Sequence, residues 1–534
     1  MAWQRERAAA RIERFKETVP QGDIVVQDFV RFLADTRMAK VSTLAHDSSS
    51  ASVLVKIPRN RAIMTNAVHV YANLVDFNSV LVDAGRETEA SHRRAFEFLH
   101  THYSACDTLI DEFEMQRVDF HGPRLHAVVL APDGDSNEAE RVRVAIAFAA
   151  AFREMVERIG HEYPEFRTDV RIGIDTGPAV AIDGGKADEA EPLFIGSPAN
   201  HAAKLAAGDV GGVYPSERAR RLLQQPDPSD FRPLEKAFER AFLDQRVIVS
   251  HDTTASGRLQ AAYDSFQTDL RLRKSAGSAA VAFTFHYKTP PLSDIVFADH
   301  PPSNAVRMPS ASLFADIDGF TAYIDGAIRS GAVAEAVANL HIMRAEMAAV
   351  LRDDFKGRKV RFVGDCIHGL LAEGNAREVY QTETMRTAVL AASGIRSSFE
   401  LCQTMLPGIA ELGIAIGIDF GTTPICRLGL RGAASVRAAT SRATCLSEAE
   451  QQRCTGLETA LGQSAYSASP ATIRQAFMAD RKLRNLTAET AAILFGTMSS
   501  PYINTGHDDV AHVPAQSIDH AQPKPQPMRA HCRA

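Results

Sequence analysis

The sequence lacks several features that would place it among membrane, secreted or zinc-binding proteins. No apolar run reaches the roughly 18 residues of a membrane span, and the charged start MAWQRERAAARIERFKE has no apolar signal-peptide core. The 534 residues include only seven cysteines, an odd number without a CxxC pair, which indicates reduced thiols and argues against a structural zinc site. We therefore expect a soluble cytoplasmic protein with no membrane partner.

An excess of basic residues is also missing. Lysine and arginine together number 59 against 65 aspartates and glutamates, which gives a net charge of −6. A nucleic-acid-binding protein usually carries a basic excess, so we expect no nucleic-acid partner. With 45% apolar and 23% charged residues, the chain has the composition of a globular protein with several domains.

What the chain does contain is an internal repeat with a spacing of roughly 243 residues. VHVYANLVDF at 68–77 parallels ASLFADIDGF at 311–320, and HGPRLHA at 121–127 parallels VGDCIHG at 363–369. RIGIDTGPAV at 171–180 parallels AIGIDFGTTP at 415–424. Three matches in one order predict a duplicated domain, which we name copy one (61–250) and copy two (308–446).

The order of elements within each copy predicts an α+β fold. An alternating apolar strand is followed by an amphipathic helix, two short strands joined at a glycine turn, a second helix and a GIDxG strand and turn. We expect a helical extension at 1–60, a linker at 251–307, and a helical extension with a disordered tail at 447–534.

Two acidic residues in copy two are candidate ligands for divalent cations. Asp316 ends a predicted strand, and a glycine-containing turn into a helix follows it; such a turn presents backbone N–H groups to phosphate. Asp365 lies at a hairpin turn after a second strand. Carboxylates on neighbouring strands can hold hard divalent cations that bridge a triphosphate. Either element alone is more typical of an ordinary acidic turn.

Taken together, FADIDGFT, VGDC and the downstream GIDxG segment resemble the catalytic domain of class III adenylate and guanylate cyclases. The resemblance implies two tandem βαββαβ domains that work as a head-to-tail pair within one chain, a pseudo-heterodimer. It implies two divalent cations, Mn²⁺ or Mg²⁺, on Asp316, Asp365 and the Ile317 carbonyl. The triphosphate is expected on the turn formed by Gly319, Phe320 and Thr321.

Copy one lacks both metal aspartates, because Asn73 and Pro123 stand at their positions. Its segment FIGSPANHAAKL nevertheless resembles the family segment that supplies the transition-state asparagine and arginine. That resemblance implies catalytic roles for Asn200 and Lys204, although lysine loses the bidentate geometry of arginine.

In copy two, the segment SVRAATSRA is aligned with that sequence, with Ala438 at the asparagine position and Arg442 at the arginine position. The losses in the two copies are therefore complementary, and the pair is expected to contain one competent site and one inactive pseudo-site.

The positions that read the base in this family fall on Asp119 and approximately on Leu193, and neither matches a purine pairing. Asp119 can accept a hydrogen bond from uracil or cytosine, and Arg117 can donate to a ring carbonyl; both are equally compatible with exposed strand charges. The chain resembles bacterial pyrimidine cyclases of the Pycsar anti-phage type. This implies conversion of a ribonucleoside triphosphate, UTP, to cyclic UMP and pyrophosphate, the product acting on a separate effector protein.

Two alternatives remain open from the sequence. One is an adenylate cyclase that makes cyclic AMP with unusual base contacts. The other is an inactive regulatory protein that binds a nucleotide without turning it over, although the presence of both Asp316 and Asp365 argues against it.

Overall fold

Two β-sheets organise the computed structural model, which describes residues 2–19, 22–42, 57–184, 192–224, 232–247, 253–275, 283–429 and 435–496. The first sheet contains β1 (Val25–Asp28), β2 (Arg61–Leu74), β3 (Gln116–His121), β4 (Arg124–Val129), β5 (Val170–Asp183), β6 (Pro192–Ile195) and β7 (Gly212–Pro215). A short ribbon follows, made of β8 (Arg246–Val247) and β9 (Thr253–Thr254). The second sheet contains β10 (Phe285–Tyr287), β11 (Ala305–Asp318), β12 (Arg358–Val363), β13 (Cys366–Leu371), β14 (Gly413–Leu428), β15 (Val436–Ala439), β16 (Glu458–Leu461) and β17 (Lys482–Arg484).

Helices cover these sheets. Those in the first half of the chain are α1 (Arg5–Thr18), α2 (Phe29–Ser42), α3 (Phe77–Val80), α4 (Glu89–Glu112), α5 (Glu138–Glu162), α6 (Ser197–Leu205), α7 (Glu217–Leu222), α8 (Lys236–Leu243) and α9 (Ala255–Ser275). Those in the second half are α10 (Phe320–Ser330), α11 (Val333–Ala349), α12 (Gln381–Met405), α13 (Arg442–Gln452), α14 (Gln463–Ala468), α15 (Ala471–Phe477) and α16 (Ala488–Phe495). A π-helical turn, Val350–Asp354, continues α11.

The repeated motifs occupy matching positions in the two sheets. In the first sheet β2 lies between β4 and β5, and in the second β11 lies between β13 and β14. Val70 pairs with Ala127 and Ile174, and Leu313 pairs with Gly369 and Ile418. The strand order and the register therefore repeat together.

The GIDxG segments do not form turns, which corrects the sequence interpretation. Each lies inside one long strand, β5 or β14, that pairs with the central strand along most of its length. The first glycine of each motif is needed for helix packing. A Cβ on Gly173 would lie 2.1 Å from the carbonyl oxygen of Ala202, and one on Gly417 would lie 2.2 Å from that of Ser447. Glycine thus allows α6 and α13 to lie directly against the strands.

The sequence predicted a purely helical N-terminal region, and this is wrong. Strand β1 joins the first sheet in parallel with β2. The preceding helix α1 packs instead against α11 and α12 in the second half. Arg11 reaches two buried carboxylates there, with bonds of 2.6 to 3.0 Å to Glu346 and Asp354. Helix α1 and strand β1 therefore contact different halves of the molecule.

The other predicted boundaries also differ from the structure. Within the expected linker, α9 packs on α4 and α5, and β10 pairs with β11. The boundary at 446 falls inside α13, and the region after it contributes β16 and β17 to the second sheet. These segments carry apolar side chains that complete the two cores, as Leu259 and Phe266 do in α9. The predicted disordered tail lies outside the described residues.

Each of the two hydrophobic cores contains side chains from both copies. The core of copy two includes Val180, Ile182 and Ile195 of copy one, and that of copy one includes Cys426 and Leu428 of copy two. Among the helices of the described residues, none combines the length and apolar character that crossing a bilayer requires.

Candidate active site

Asp316 and Asp365 lie close together at one end of the second sheet. Asp316 is near the end of β11, and Asp365 lies in the two-residue turn between β12 and β13. The Asp365 carboxylate accepts a hydrogen bond from the backbone N–H of Ile317. The carbonyl of an extended residue points to the same neighbouring strand as its N–H, so the Ile317 carbonyl faces the same side as Asp365.

The electrostatics of this pair fit a site for cations. Burial and the neighbouring charge of Asp316 raise the pKa of Asp365 well above its usual range, against the opposing charge of Arg344. Two half-buried carboxylates that repel each other are stabilised by a positive charge between them. Oxygen ligands of this kind suit Mg²⁺ or Mn²⁺. The residues present therefore fit divalent cations.

The turn after Asp316 has the geometry of an anion-binding site. Gly319 has φ +85°, a left-handed conformation that glycine adopts without strain, and it is the N-cap of α10. No side chain caps this helix end, so the first N–H groups of α10 are oriented toward a ligand. Phe320 is buried in the core of copy two, so it offers only its backbone to a phosphate.

Helix α6 of copy one contacts this turn. The side-chain amide of Asn200 donates to the hydroxyl of Thr321 over 2.5 Å. Beside it, the carboxylate of Asp325 accepts the backbone N–H of Ser197, the first residue of α6, over 2.9 Å. The structure therefore brings the predicted catalytic asparagine to the predicted triphosphate turn.

Lys204 lies one helical turn after Asn200 on α6, in a half-buried position. Within the described part of the chain, its ammonium group makes no hydrogen bond or ion pair. A lysine without an internal partner, one helical turn after Asn200, can supply positive charge to a ligand.

The structure corrects the alignment of the corresponding segment in copy two. Ala438 lies on β15, whose pairing with β14 matches that of β6 with β5, and Arg442 begins α13. The contacts of Gly173 and Gly417 instead align Ala202 with Ser447. Helix α13 consequently places Cys445 at the asparagine position and Ala449 at the lysine position. Neither residue can perform the expected role, so the predicted complementarity of the two copies stays a prediction, with Cys445 and Ala449 in place of Ala438 and Arg442.

The equivalent location in copy one has lost more than its two aspartates. Asp76 stands where Gly319 stands in copy two, and the helix after it, α3, has a single turn. Arg124, next to Pro123 in the β3–β4 turn, forms an ion pair with Glu448 on α13. A carboxylate at the turn and an arginine paired beside it would not receive a metal–triphosphate complex.

The three predicted base-binding residues have different surroundings. Arg117 donates to both carboxylate oxygens of Asp107 on α4, over 2.8 and 3.0 Å, and is thus committed within copy one. Burial raises the pKa of Asp107 to about 6 despite this pairing. Leu193 lies on β6, which contacts β3, the strand that carries Asp119. Asp119 forms an ion pair with Arg361 of copy two.

Several residues of this region carried no sequence signal. Gln451 on α13 donates to the Asp316 carboxylate over 3.3 Å and orients it. Asp318, the second acidic residue of the motif, accepts a hydrogen bond from the N–H of Gly456 over 2.8 Å and so stabilises the backbone there. Asp325 and Arg361 act across the interface between the copies, and no local motif marks such contacts.

Known proteins resemble this chain in sequence over most of its length. The family model described as the adenylate and guanylate cyclase catalytic domain matches residues 65–237, which is copy one. A protein named uridylate cyclase from a Rhizobium species is 44% identical over 526 residues, covering 97% of this chain and 100% of the relative. A Pseudomonas aeruginosa protein of the same name is 33% identical over 499 residues, covering 91% and 90%.

A solved structure is similar over nearly the whole chain. It is a class III adenylyl cyclase-like ATP-binding protein from Pseudomonas aeruginosa, with a TM-score of 0.80 and 32% identity, covering 92% of this chain and 99% of that one. The α+β arrangement predicted from the repeat is therefore confirmed as a class III cyclase-like fold. Because two relatives match nearly the whole chain at 44% and 33% identity, the chain belongs to the class III nucleotidyl cyclase family.

Proposed function

We propose that this protein is a uridylate cyclase, which converts UTP to 3′,5′-cyclic UMP and pyrophosphate. The observation that carries the proposal is the contact of Asn200 with Thr321, because it joins the asparagine of one copy to the triphosphate turn of the other. The two copies would then form one composite site, with Asp316 and Asp365 from copy two and Asn200 and Lys204 from copy one. The names of the two full-length relatives support uridine as the base.

The reaction joins two atoms of one substrate. The ribose 3′-oxygen attacks the α-phosphorus, the bond from that phosphorus to the bridging oxygen of the β-phosphate breaks, and the hydroxyl proton passes to solvent. The free N–H groups of α10 would bind the triphosphate. Lys204 would offset the charge that grows on the transferring phosphate, and Asn200 would orient the ribose.

Class III cyclases use divalent metal ions, and here we propose two, Mn²⁺ or Mg²⁺. Asp316, Asp365 and the Ile317 carbonyl would hold them, and their chemistry is to lower the pKa of the attacking hydroxyl and neutralise the triphosphate. The repulsion between these two half-buried carboxylates favours a positive charge between them.

The decisive experiment is incubation with each of the four ribonucleoside triphosphates and Mn²⁺ or Mg²⁺, with mass spectrometry of the products. We expect cyclic UMP and pyrophosphate from UTP, and loss of product with a chelator. A folded protein that yields no cyclic product from any of the four would refute the enzyme assignment. Cyclic AMP as the main product would replace it with the second candidate, an adenylate cyclase, which the ATP-binding description of the solved relative favours.

The further roles implied by the sequence stay predictions. These are cytoplasmic location, a separate effector protein that binds the cyclic nucleotide, and a part in defence against phage. A comparison of phage plating on bacteria that carry the wild type or Asp365→Asn, together with the neighbouring genes of its own locus, would test the last of these.

A further inference from the structure

Asp119 and Arg361 occupy equivalent positions in the two copies and contact each other. Asp119 pairs with His126 across the β3–β4 hairpin, and Arg361 pairs with His368 across the β12–β13 hairpin. A register shift precedes each residue at the same place, and such bulges redirect the side chain that follows. Because equivalent residues of related units meet only near the axis that relates them, this ion pair lies at the centre of the interface.

Arg361 comes from copy two, yet its guanidinium bonds to copy one. It is only 5% exposed, and it donates to the backbone carbonyl of Phe120 and to the carboxylate of Asp119. Burial lowers the pKa of Arg361 to about 10, so the group is charged at neutral pH. The Asp119 carboxylate is thus held in one orientation by a fixed cation.

We propose that Arg361 is a positioning residue for base recognition, which holds the Asp119 carboxylate where it accepts a hydrogen bond from the N3–H of uracil in UTP, a hydrogen that N3 of cytosine lacks. The inference rests on the proposed function, and it adds a specificity role for copy two. An ionised carboxylate has about four lone-pair positions, so one guanidinium contact leaves others for the base. The β3 strand of Asp119 also contacts β6, the other strand expected to face the base.

The competing explanation is that the ion pair only holds the copies together. An exchange of charge, Asp119→Arg with Arg361→Asp, separates the two explanations because the residues are equivalent. It keeps an ion pair at the interface but moves the carboxylate to the side of the inactive pseudo-site. An ion pair that only holds the copies together keeps its function after the exchange. A carboxylate that binds the base loses its function, because it has moved to the other copy.

The experiment measures binding of UTP, CTP, ATP and GTP by isothermal titration calorimetry, and kcat/KM for cyclisation, in wild type and in the exchanged variant. We expect unchanged thermal melting, a fall of about 10- to 100-fold in UTP affinity and kcat/KM, and loss of the preference for UTP over CTP. An exchanged variant that melts like wild type and keeps that preference would overturn the proposal. Calorimetry without divalent cations reads the preference without turnover, so a wild type that binds UTP selectively but makes no cyclic product when Mn²⁺ is present refutes only the proposed function.

A milder pair of variants covers the case in which the exchanged variant does not fold. Arg361→Lys keeps the charge but loses the fork that spans two acceptors, and we expect a partial loss of the UTP preference. Arg358→Lys is the matched control, because Arg358 lies on the same strand but over the Phe297 ring. Equal preferences in these two variants would overturn the proposal.

Discussion

The amide of Asn200 in copy one and the hydroxyl of Thr321 in copy two lie 2.5 Å apart. This hydrogen bond joins α6 to the first turn of α10, and the neighbouring bond from Ser197 to Asp325 holds the same helix end. One contact is a side-chain bond at the proposed triphosphate turn, and the other caps a helix. Catalysis and assembly can therefore be separated experimentally.

We expect Asn200→Ala to lower kcat by about 100-fold, by analogy with the loss of one preorganised hydrogen-bond donor that positions the reacting group. Thr321→Ala removes the same hydrogen bond but leaves the asparagine, so its effect on kcat should be below about 10-fold. Rates from pyrophosphate release and unfolding curves for both variants check this. Equal losses of activity in the two would mean that Asn200 serves only the interface.

Asp365→Asn should abolish activity and yet stabilise the metal-free protein. The substitution removes a like charge beside Asp316 in a half-buried site, where burial already raises the pKa of Asp365. We expect a loss of at least about 100-fold in kcat/KM and a gain of roughly 1 kcal/mol in the free energy of unfolding. Asp353→Asn, which alters an exposed carboxylate beside Arg352, is the control. Full activity in Asp365→Asn would refute the metal assignment.

The parts of the site that the sequence predicted are those encoded in short continuous motifs. Asp316, Gly319 and Thr321 are neighbours in one strand and turn, so their relation is fixed by local backbone geometry. Asp365 follows from a two-residue hairpin turn for the same reason.

The misplaced positions lie beyond irregular segments. Ala438 and Arg442 were misaligned because the connection from strand to helix differs between the copies, while only the packing of α13 on Gly417 defines the true register. The pairing of Asp119 with Arg361 joins strands that are roughly 240 residues apart, and it depends on how the copies dock. No local pattern contains that information.

Arg11 should be among the most important residues for stability, although it is far from the site in sequence. It is buried and forms four bonds to Glu346 and Asp354. Burial alone would lower its pKa, but these two carboxylates raise it above its usual range. Arg11→Met would leave two buried carboxylates without their main partner, which costs about 3–5 kcal/mol.

Denaturant unfolding checks this value, with Lys16→Met as the control on the same helix. Lys16 makes only an exposed pair with Glu13, and the loss of such a pair costs about 0–1 kcal/mol. Similar losses in both variants would mean that α1 contributes no specific anchoring to the second half of the molecule.

The equivalent aspartates Asp175 and Asp419 predict opposite dependences of stability on pH. Burial raises the pKa of Asp419 to about 7, although the N–H of Ala465 donates to it; its second oxygen has no partner among the described residues. Burial would also raise the pKa of Asp175, but hydrogen bonds from His201, Arg218 and Ser216 lower it below the usual range.

The sign follows from proton uptake. Between about pH 4 and 7 the folded state keeps a proton on Asp419 that the unfolded state has released, so this residue lowers stability as the pH rises and its cost is complete above pH 7. Asp419→Asn should therefore gain about 1 kcal/mol or more relative to wild type when the pH is raised from 5 to 8. Asp175 contributes stability that is complete above about pH 4 and is lost as the pH falls through its lowered pKa. Asp175→Asn should thus impose a penalty that is constant between pH 5 and 8. Thermal melting of wild type, Asp419→Asn and Asp175→Asn at pH 5 and 8 tests both expectations. If the melting temperature of Asp419→Asn differs from that of wild type by the same amount at both pH values, the raised pKa of Asp419 is contradicted.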